Sequence, residues 1–182
     1  MAEQARTVAE IDWQAWTPSE YGTLCFVIRN GRILLIRKKR GLGAGKIVGP
    51  GGRVEPGETP LACAIREVQE ELCVTPTRVV ARGEHCFHFL DGYTIRVFAF
   101  SADDCDGVPR ETDEAIPIWT SLDAIPYPEM WQDNRLWMPL LLEGVPFSGR
   151  YVFDGDSMLD YEIDQRFDTE LAESISLPID QP

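Results

Sequence analysis

Glu67, Glu70 and Glu71 stand at i, i+3 and i+4, so on a helix their carboxylates share one surface. Three like charges there destabilise a helix, and these fall in its second half, where the macrodipole disfavours anions. Glu58 stands just before the first turn, behind a glycine-rich stretch that can fold back. A solvated acidic face accounts for such a cluster in an acidic protein. A divalent-cation site accounts for it too: hard carboxylate oxygens suit magnesium or manganese, and the ion cancels the repulsion.

The segment that carries these residues is punctuated as a helix. Thr59 can cap it and Pro60 suits the first helical position. At about 100° per residue, Leu61, Ala64, Ile65, Val68 and Leu72 fall on one narrow face, with Glu67, Glu70 and Glu71 on the other side. Pro76 stops any continuation. Upstream, Thr23–Ile28 reads as a buried strand, Asn30-Gly31 as a hairpin turn and Arg32–Ile36 as the returning strand. Gly41–Gly52, with six glycines and a proline, reads as a loop. Downstream, Arg78–Ala81, His85–Leu90, Thr94–Ser101 and Ile116–Trp119 read as strands, and Trp137–Leu142 as a helix despite Pro139. Tyr151–Phe153 and Met158–Tyr161 form a last hairpin around Asp154-Gly155, before an acidic, aperiodic tail.

At 182 residues, 44% hydrophobic and 26% charged, the chain predicts one globular domain. Its net charge of −13 argues against general binding to nucleic acid or an anionic membrane, since both partners are polyanions. The charge is uneven. Arg37–Arg53 holds Arg37, Lys38, Lys39, Arg40, Lys46 and Arg53 without an acid, so it carries +6 and the rest −19. Five cysteines, an odd number without CxxC spacing, predict reduced thiols and a cytoplasmic protein. No secretory signal pattern and no apolar run of bilayer length is found. Trp13 and Trp16 in residues 1–20 suggest an arm that docks its rings on the domain.

The full spacing goes further than the acid cluster. Gly52, then Glu58, then Arg66-Glu67-Val68-Gln69-Glu70-Glu71-Leu72-Cys73-Val74 resembles the Nudix box, G-x5-E-x7-R-E-U-x-E-E-x-G-U with U aliphatic. The match departs at Cys73 and resumes at Val74. The resemblance implies an α/β (α+β) fold, a mixed β-sheet sandwiched between helices. It also implies that Glu67, Glu70 and Glu71 bind magnesium, with manganese as a substitute, beside a substrate diphosphate. Glu71 would be a candidate base for the attacking water, Arg66 and Glu58 would brace the helix and loop, and the carbonyl of Gly51 or Gly52 would complete the coordination. The box glycine serves as a left-handed helix stop, where a cysteine costs roughly 1 kcal/mol. Either the backbone tolerates that strain or the helix ends differently.

Beyond the box, KKRGLGAGK, GPGGRVEPGET, MWQDNRLWMPLLLEG and FSGRYVFDGDSMLDY resemble the MutT branch of that family, in particular its animal members. The likeness runs from about Thr23 to Asp164, which sets a hydrolase domain at 21–164, an arm at 1–20 and a tail at 165–182. It implies hydrolysis of oxidised purine nucleoside triphosphates such as 8-oxo-dGTP to monophosphate and pyrophosphate, a sanitation of the nucleotide pool. The partner would be a small nucleotide, not a nucleic-acid polymer or a membrane, and the chain a monomer or homodimer. Trp131 would stack on the purine and Asp133 would bond its edge. Thr23, Lys38 and Phe87 match pocket positions, and Glu114 matches an acid that can join the metal site. Without the resemblance, Trp131 and Phe87 read as core, and Glu114 as a solvated loop.

Two departures touch the base. The family has an asparagine where Val48 stands and an aspartate where Asn134 stands, and Leu42 replaces an aromatic wall residue. A site built to bond a base discriminates through its buried polar groups, so these changes alter selectivity. An undamaged or alkylated nucleotide, or a nucleoside diphosphate linked to another group, is the alternative substrate, and a nucleotide sensor without turnover is a third. The basic segment leads into the loop and the acidic helix, where it would supply positive potential to a triphosphate.

Overall fold

The computed structural model describes residues 5–166 and 178–179. In chain order the elements are β1 (Glu20–Arg29), β2 (Arg32–Lys38), β3 (Ile47–Val48), α1 (Pro60–Leu72), β4 (Thr75–Thr77), β5 (Val80–Phe89), β6 (Thr94–Ala102), β7 (Asp104–Asp106), β8 (Ala115–Ser121), α2 (Asn134–Glu143), β9 (Phe147–Asp154) and β10 (Ser157–Asp164). The main sheet runs β10-β9-β5-β6-β1-β2, with β3 and β8 both on β2, and β4 and β7 form a separate ribbon. The sheet is mixed: β1 and β6 pair in parallel, as do β5 and β9, and its other pairs are antiparallel.

Alternation along the strands feeds two cores. Phe26, Ile33, Leu35, Val97 and Ala99 pack with Trp137, Met138 and Leu141 of α2 on one face. Cys25, Val27, Leu34, Ile36, Phe98 and Phe100 pack with Ala64, Val68 and Leu72 of α1 on the other. The sheet therefore lies between the two helices, the arrangement that the resemblance implies.

The hairpin at Asn30-Gly31 forms, with both residues at positive φ (51° and 69°), but it is split. β1 and β2 pair only at Ile28–Ile33 and Arg29–Arg32, beside the turn. The glycine-rich segment, read from sequence as loop alone, fills the opening. Its Ile47 and Val48 pair with Arg37 and Ile36 of β2. Further along, Cys25 N–H donates to Pro50 O, Thr23 N–H to Gly52 O, and Val54 N–H to Tyr21 O. Segment 50–54 is thereby fixed against β1. Glycine is required there by close approach: a Cβ on Gly51 would lie 1.9 Å from Thr23 O.

Other differences from the sequence-based expectations are local. Arg78–Ala81 and His85–Leu90 are not two strands. Their core is one strand, β5, with an irregularity between Ala81 and Gly83 that absorbs the polar interruption. β4 and β7 are too short to carry a periodic signal, and Pro76 sits inside β4. At the N-terminus, a 3₁₀ turn at Val8–Glu10 lies against β9 and β10. Val8 N–H donates to Asp160, Trp13 Nε1–H donates to Val8 O, and Arg150 lies over the Trp13 ring. The expectation of a mobile acidic tail falls largely on residues outside those described. All five cysteines are free thiols. Among the described residues no helix is long and apolar enough to cross a membrane.

Candidate active site

α1 begins as its sequence dictates. Thr59 accepts the Ala62 N–H at 3.1 Å, and Pro60 is the first helical residue. It ends at Cys73, which adopts the left-handed conformation (φ 60°, ψ 29°) and donates its N–H to Gln69 O. Of the two alternatives at the missing glycine, the structure takes the strained one.

Arg66 organises the outer acids. Its guanidinium bonds both oxygens of Glu58 (2.8 and 2.9 Å), Glu67 (2.8 Å), Glu70 (3.0 Å) and the carbonyl of Arg53 (3.0 Å). The two bonds to Arg66 hold the Glu58 carboxyl below its ordinary range. The loop, Glu58 and α1 are thus fastened at one point.

The expectation that Glu71 lies on the exposed side of α1 is overturned. Glu71 is 1% exposed, whereas Ile65, expected in the core, is only half-buried. The buried stripe is centred nearer Cys63, Ala64 and Glu71 than the apolar residues alone suggest, because α1 packs on the side-chain-free segment Gly51-Gly52. A Cβ on Gly52 would lie 2.3–2.5 Å from the Glu67 carboxyl group. Glu71 accepts the Gly51 N–H at 2.9 Å, and Lys38 Nζ lies 3.7 Å from its other oxygen. Burial nevertheless pushes the Glu71 carboxyl up to about 7, against the pull of Lys38 and the Gly51 N–H. Burial raises Glu67 as well.

Glu114, just before β8, faces this pair closely enough for its charge to raise both carboxyls. Its segment is tied to the end of α1 through Thr112, whose hydroxyl donates to Glu71 O at 2.9 Å and receives the Glu114 and Ala115 N–H groups. Glu67, Glu71, Glu114 and the Gly51-Gly52 backbone are therefore brought together. Glu58 and Glu70 are held beside them by Arg66. Among the described residues no three metal-ligating side chains already converge on one point. The donor set is all hard oxygen, and Glu67, Glu71 and Glu114 repel one another, so the residues fit a divalent cation.

Each basic residue of 37–53 has an acidic partner from elsewhere. Arg37 pairs with Glu129 (2.9 Å), Lys38 with Glu71, Lys39 with Glu111 (2.6 Å), Arg40 with Glu114, Lys46 with Asp156 (2.9 Å) and Arg53 with Glu20 (2.9 Å). The sequence-based picture of a segment free to meet a triphosphate is modified accordingly. Lys38, Arg40 and Arg53 line the cavity, and the other pairs fasten the loop to neighbouring elements. The exposed pairs among these, Lys38–Glu71 with its buried carboxylate excepted, are worth about 0–1 kcal/mol each, so a more charged ligand can exchange them.

A cavity of about 480 Å³ joins this acidic region to an aromatic one. Thr23, Lys38, Val48, Gly51, Gly52, Phe87, Glu114, Trp131, Asp133 and Asn134 all line it, as does Leu42 at 53% exposure. Glu58, Arg66, Glu67, Glu70 and Glu71 do not line it, but Glu67 lies against Gly52 and Glu71 bonds Gly51. Phe87 stacks on Tyr151 with centroids 4.9 Å apart. Trp131 is half-buried, edge-on to Phe89 and Phe153, with Lys46 Nζ 4.8 Å from its ring centroid. Thr23 is buried and its hydroxyl lies 3.3 Å from Cys63 Sγ. Asp133 is 2% exposed, and Asn134 is buried beside it. Burial pushes the Asp133 carboxyl up to about 6. His85, given no role from sequence, is fully buried against Tyr151, and burial lowers its pKa to about 3.

Arg40 and Trp137 are among the cavity residues that the sequence reading gave no site role. Arg40 read as one more charge in a basic run, and nothing in the sequence foretold its pairing with Glu114. Trp137 read only as the start of a helix, although its i+4 spacing from Asp133 was a signal that the two side chains meet.

Comparison with known proteins agrees with this fold. Residues 18–141 match the NUDIX domain family. The chain is 41% identical over 145 residues to an oxidized purine nucleoside triphosphate hydrolase of Danio rerio, covering 79% of this chain and 93% of that protein. It is 40% identical over 143 residues to the Mus musculus protein of the same name, covering 78% and 92%. The crystal structure of a MutT protein from Bacillus halodurans superposes with a TM-score of 0.72 at 25% identity, over 81% of this chain and 99% of that one.

Proposed function

The chain belongs to the Nudix hydrolase family, and from that premise we propose that it hydrolyses oxidised purine nucleoside triphosphates such as 8-oxo-dGTP to the monophosphate and pyrophosphate. The observation that carries the proposal is the single cavity that joins Gly51, Gly52 and Glu114 at one end to Trp131 and Asp133 at the other. A nucleotide needs both ends at once.

Nudix hydrolases generally use divalent metal ions. Here Glu67, Glu70, Glu71, Glu114 and a carbonyl of Gly51 or Gly52 would hold magnesium, or manganese in its place. A bound cation neutralises the diphosphate, polarises its phosphoryl oxygens and lowers the pKa of a bound water. Glu71, held by the Gly51 N–H beside Lys38, would take the proton of the attacking water. Arg66 and Glu58 keep α1 and the glycine segment in register. Lys38 and Arg40 lie where phosphate oxygens can draw them from their carboxylate partners. At the other end Trp131 stacks on the purine, Phe87 forms a wall, Thr23 closes the floor, and Asp133 and Asn134 meet the base edge. The same proposal puts the protein in the cytoplasm at work on the nucleotide pool, as a monomer or homodimer without a polymer or membrane partner. Its hydrolase domain is 21–164, flanked by the arm 1–20 and the acidic tail 165–182.

Val48 and Asn134, both in the cavity, favour a second reading: the same chemistry on an undamaged or alkylated purine nucleotide. A magnesium-dependent hydrolysis screen over 8-oxo-dGTP, dGTP, an alkylated purine triphosphate and a nucleoside diphosphate linked to a sugar separates them. Strong preference for 8-oxo-dGTP with release of pyrophosphate is expected, and preference for any other member would replace the substrate named here. Absence of turnover on all of them would leave only a nucleotide sensor.

A further inference from the structure

Asp133 immediately precedes α2 and Trp137 stands one turn further on, so the i, i+4 spacing brings their side chains together. The Trp137 indole Nε1–H donates to Asp133 Oδ2 at 2.7 Å. The ring is 1% exposed and fixed by Phe26, His85 and Phe147. The carboxylate itself is 2% exposed, and its second oxygen, Oδ1, has no hydrogen-bond partner among the described residues. The Asn134 amide approaches Oδ2, at 3.5 Å, and not Oδ1. A buried acceptor left unpaired is costly, so Oδ1 calls for a donor from whatever fills the cavity.

We propose that Trp137 is a positioning residue for substrate selection: its indole N–H occupies Oδ2 and leaves Oδ1 as a single aimed acceptor for an N–H on the edge of a purine. This rests on the cavity being a nucleotide site. It adds a requirement on the ligand, a base edge that presents an N–H donor at this point. It also explains how so buried a carboxylate stays ionised near neutral pH. Burial pushes Asp133 up to about 6, and the Trp137 hydrogen bond is the largest pull the other way. The remaining groups around it change this little. On α2, Asn134 and Trp137 do not titrate. From β9, Tyr151 is held neutral by burial, and from β5, His85 is neutral because burial lowers it. The charged lining residues Lys38, Arg40, Arg53 and Glu114 do not figure among the groups that shift Asp133.

The test is the pH dependence of 8-oxo-dGMP binding, measured by calorimetry on metal-free full-length protein from pH 5 to 9. Trp137→Phe keeps a ring and removes the N–H. It should weaken binding about tenfold at pH 7. The binding midpoint should move to higher pH, with affinity recovering toward pH 9. In turnover the loss should fall on KM more than on kcat. Asp133→Asn, which keeps the shape, should remove the step in the pH profile that Trp137→Phe shifts, and adding Trp137→Phe to it should then change little. An unchanged midpoint in Trp137→Phe, or an equal loss at every pH, would overturn the positioning role while leaving the nucleotide site in place. Failure of the unmodified protein to bind any purine nucleotide would instead remove the site, and the role with it.

Discussion

At the α1 end of the cavity every carboxylate has a protein cation beside it: Arg66 on Glu58, Glu67 and Glu70, Lys38 on Glu71, Arg40 on Glu114. At the α2 end the one buried carboxylate, Asp133, has an indole, an amide and an unpartnered oxygen. The first arrangement is excess charge held in balance, which on the proposed function stronger cations and a polyanion would displace. The second is scarce polarity in an aromatic box, where one hydrogen bond has large consequences. On the function proposed above, chemistry and selectivity are thus physically separated. Substitutions at one end should move turnover, and those at the other should move discrimination.

The largest effect should come from Glu71→Gln. An amide of the same shape keeps the helix packing but cannot take a proton, so magnesium-dependent turnover should fall by about 10²–10⁴-fold with the fold intact by circular dichroism. Binding of 8-oxo-dGMP without metal should change little. A matching loss of metal-free binding would break the separation of the two ends. Next comes the pair Val48→Asn with Asn134→Asp, which installs the hydrogen-bonding types that the family resemblance implies for these positions. The ratio of kcat/KM for 8-oxo-dGTP over dGTP should rise about tenfold, with kcat on 8-oxo-dGTP little altered. A fall in kcat as large as the change in ratio would show that base and phosphate ends are coupled.

The two ends should also differ in how pH acts on stability. In metal-stripped protein Glu71 titrates at about 7, above its ordinary 4.5, so between those values the folded state holds more protons than the unfolded chain. Stability should therefore fall as pH rises through that window. A divalent cation binds the ionised form, so the rise in Tm on adding magnesium should grow from pH 5 to 7 and then level off. Asp133, raised from 3.8 to about 6, adds a decline of the same sign at lower pH that magnesium should not affect. Thermal melts with EDTA and with magnesium resolve the two. A magnesium effect independent of pH would mean that Glu71 is not the group the metal meets.

The two ends were also unequally legible. The charged end is encoded along one helix, so its spacing, cap and flanking glycines could be read in order from Gly52 to Val74. The aromatic end takes residues from β1, β3, β5 and the segment that leads into α2, and only tertiary pairing brings these together. Local signals still worked where they were strong: Asn30-Gly31 made its turn and Thr59-Pro60 its helix start. What could not be read depended on tertiary fit. The wedge of 47–54 into the split hairpin follows from how closely Gly51 approaches β1, and the burial of Glu71 from how closely Gly52 lets α1 approach. The acidic partners of the basic segment lie as far off as Glu129 and Asp156.

Cys73 offers the smallest test and the most local one. Its backbone is left-handed, its side chain exposed, and its N–H already closes the helix onto Gln69 O. Glycine removes the steric penalty of that conformation, about 1 kcal/mol, though it also gives the unfolded chain more freedom. Cys73→Gly should therefore raise Tm by no more than about 2–4 °C. It should leave kcat and KM unchanged, because the helix end is also tied by Thr112 to Glu71 O and by the Arg110 N–H to Leu72 O. If turnover rises with stability, the strain at Cys73 is being transmitted through those two bonds to Glu71 and Glu114. The helix stop would then belong to the charged end, and not merely to the fold that supports it.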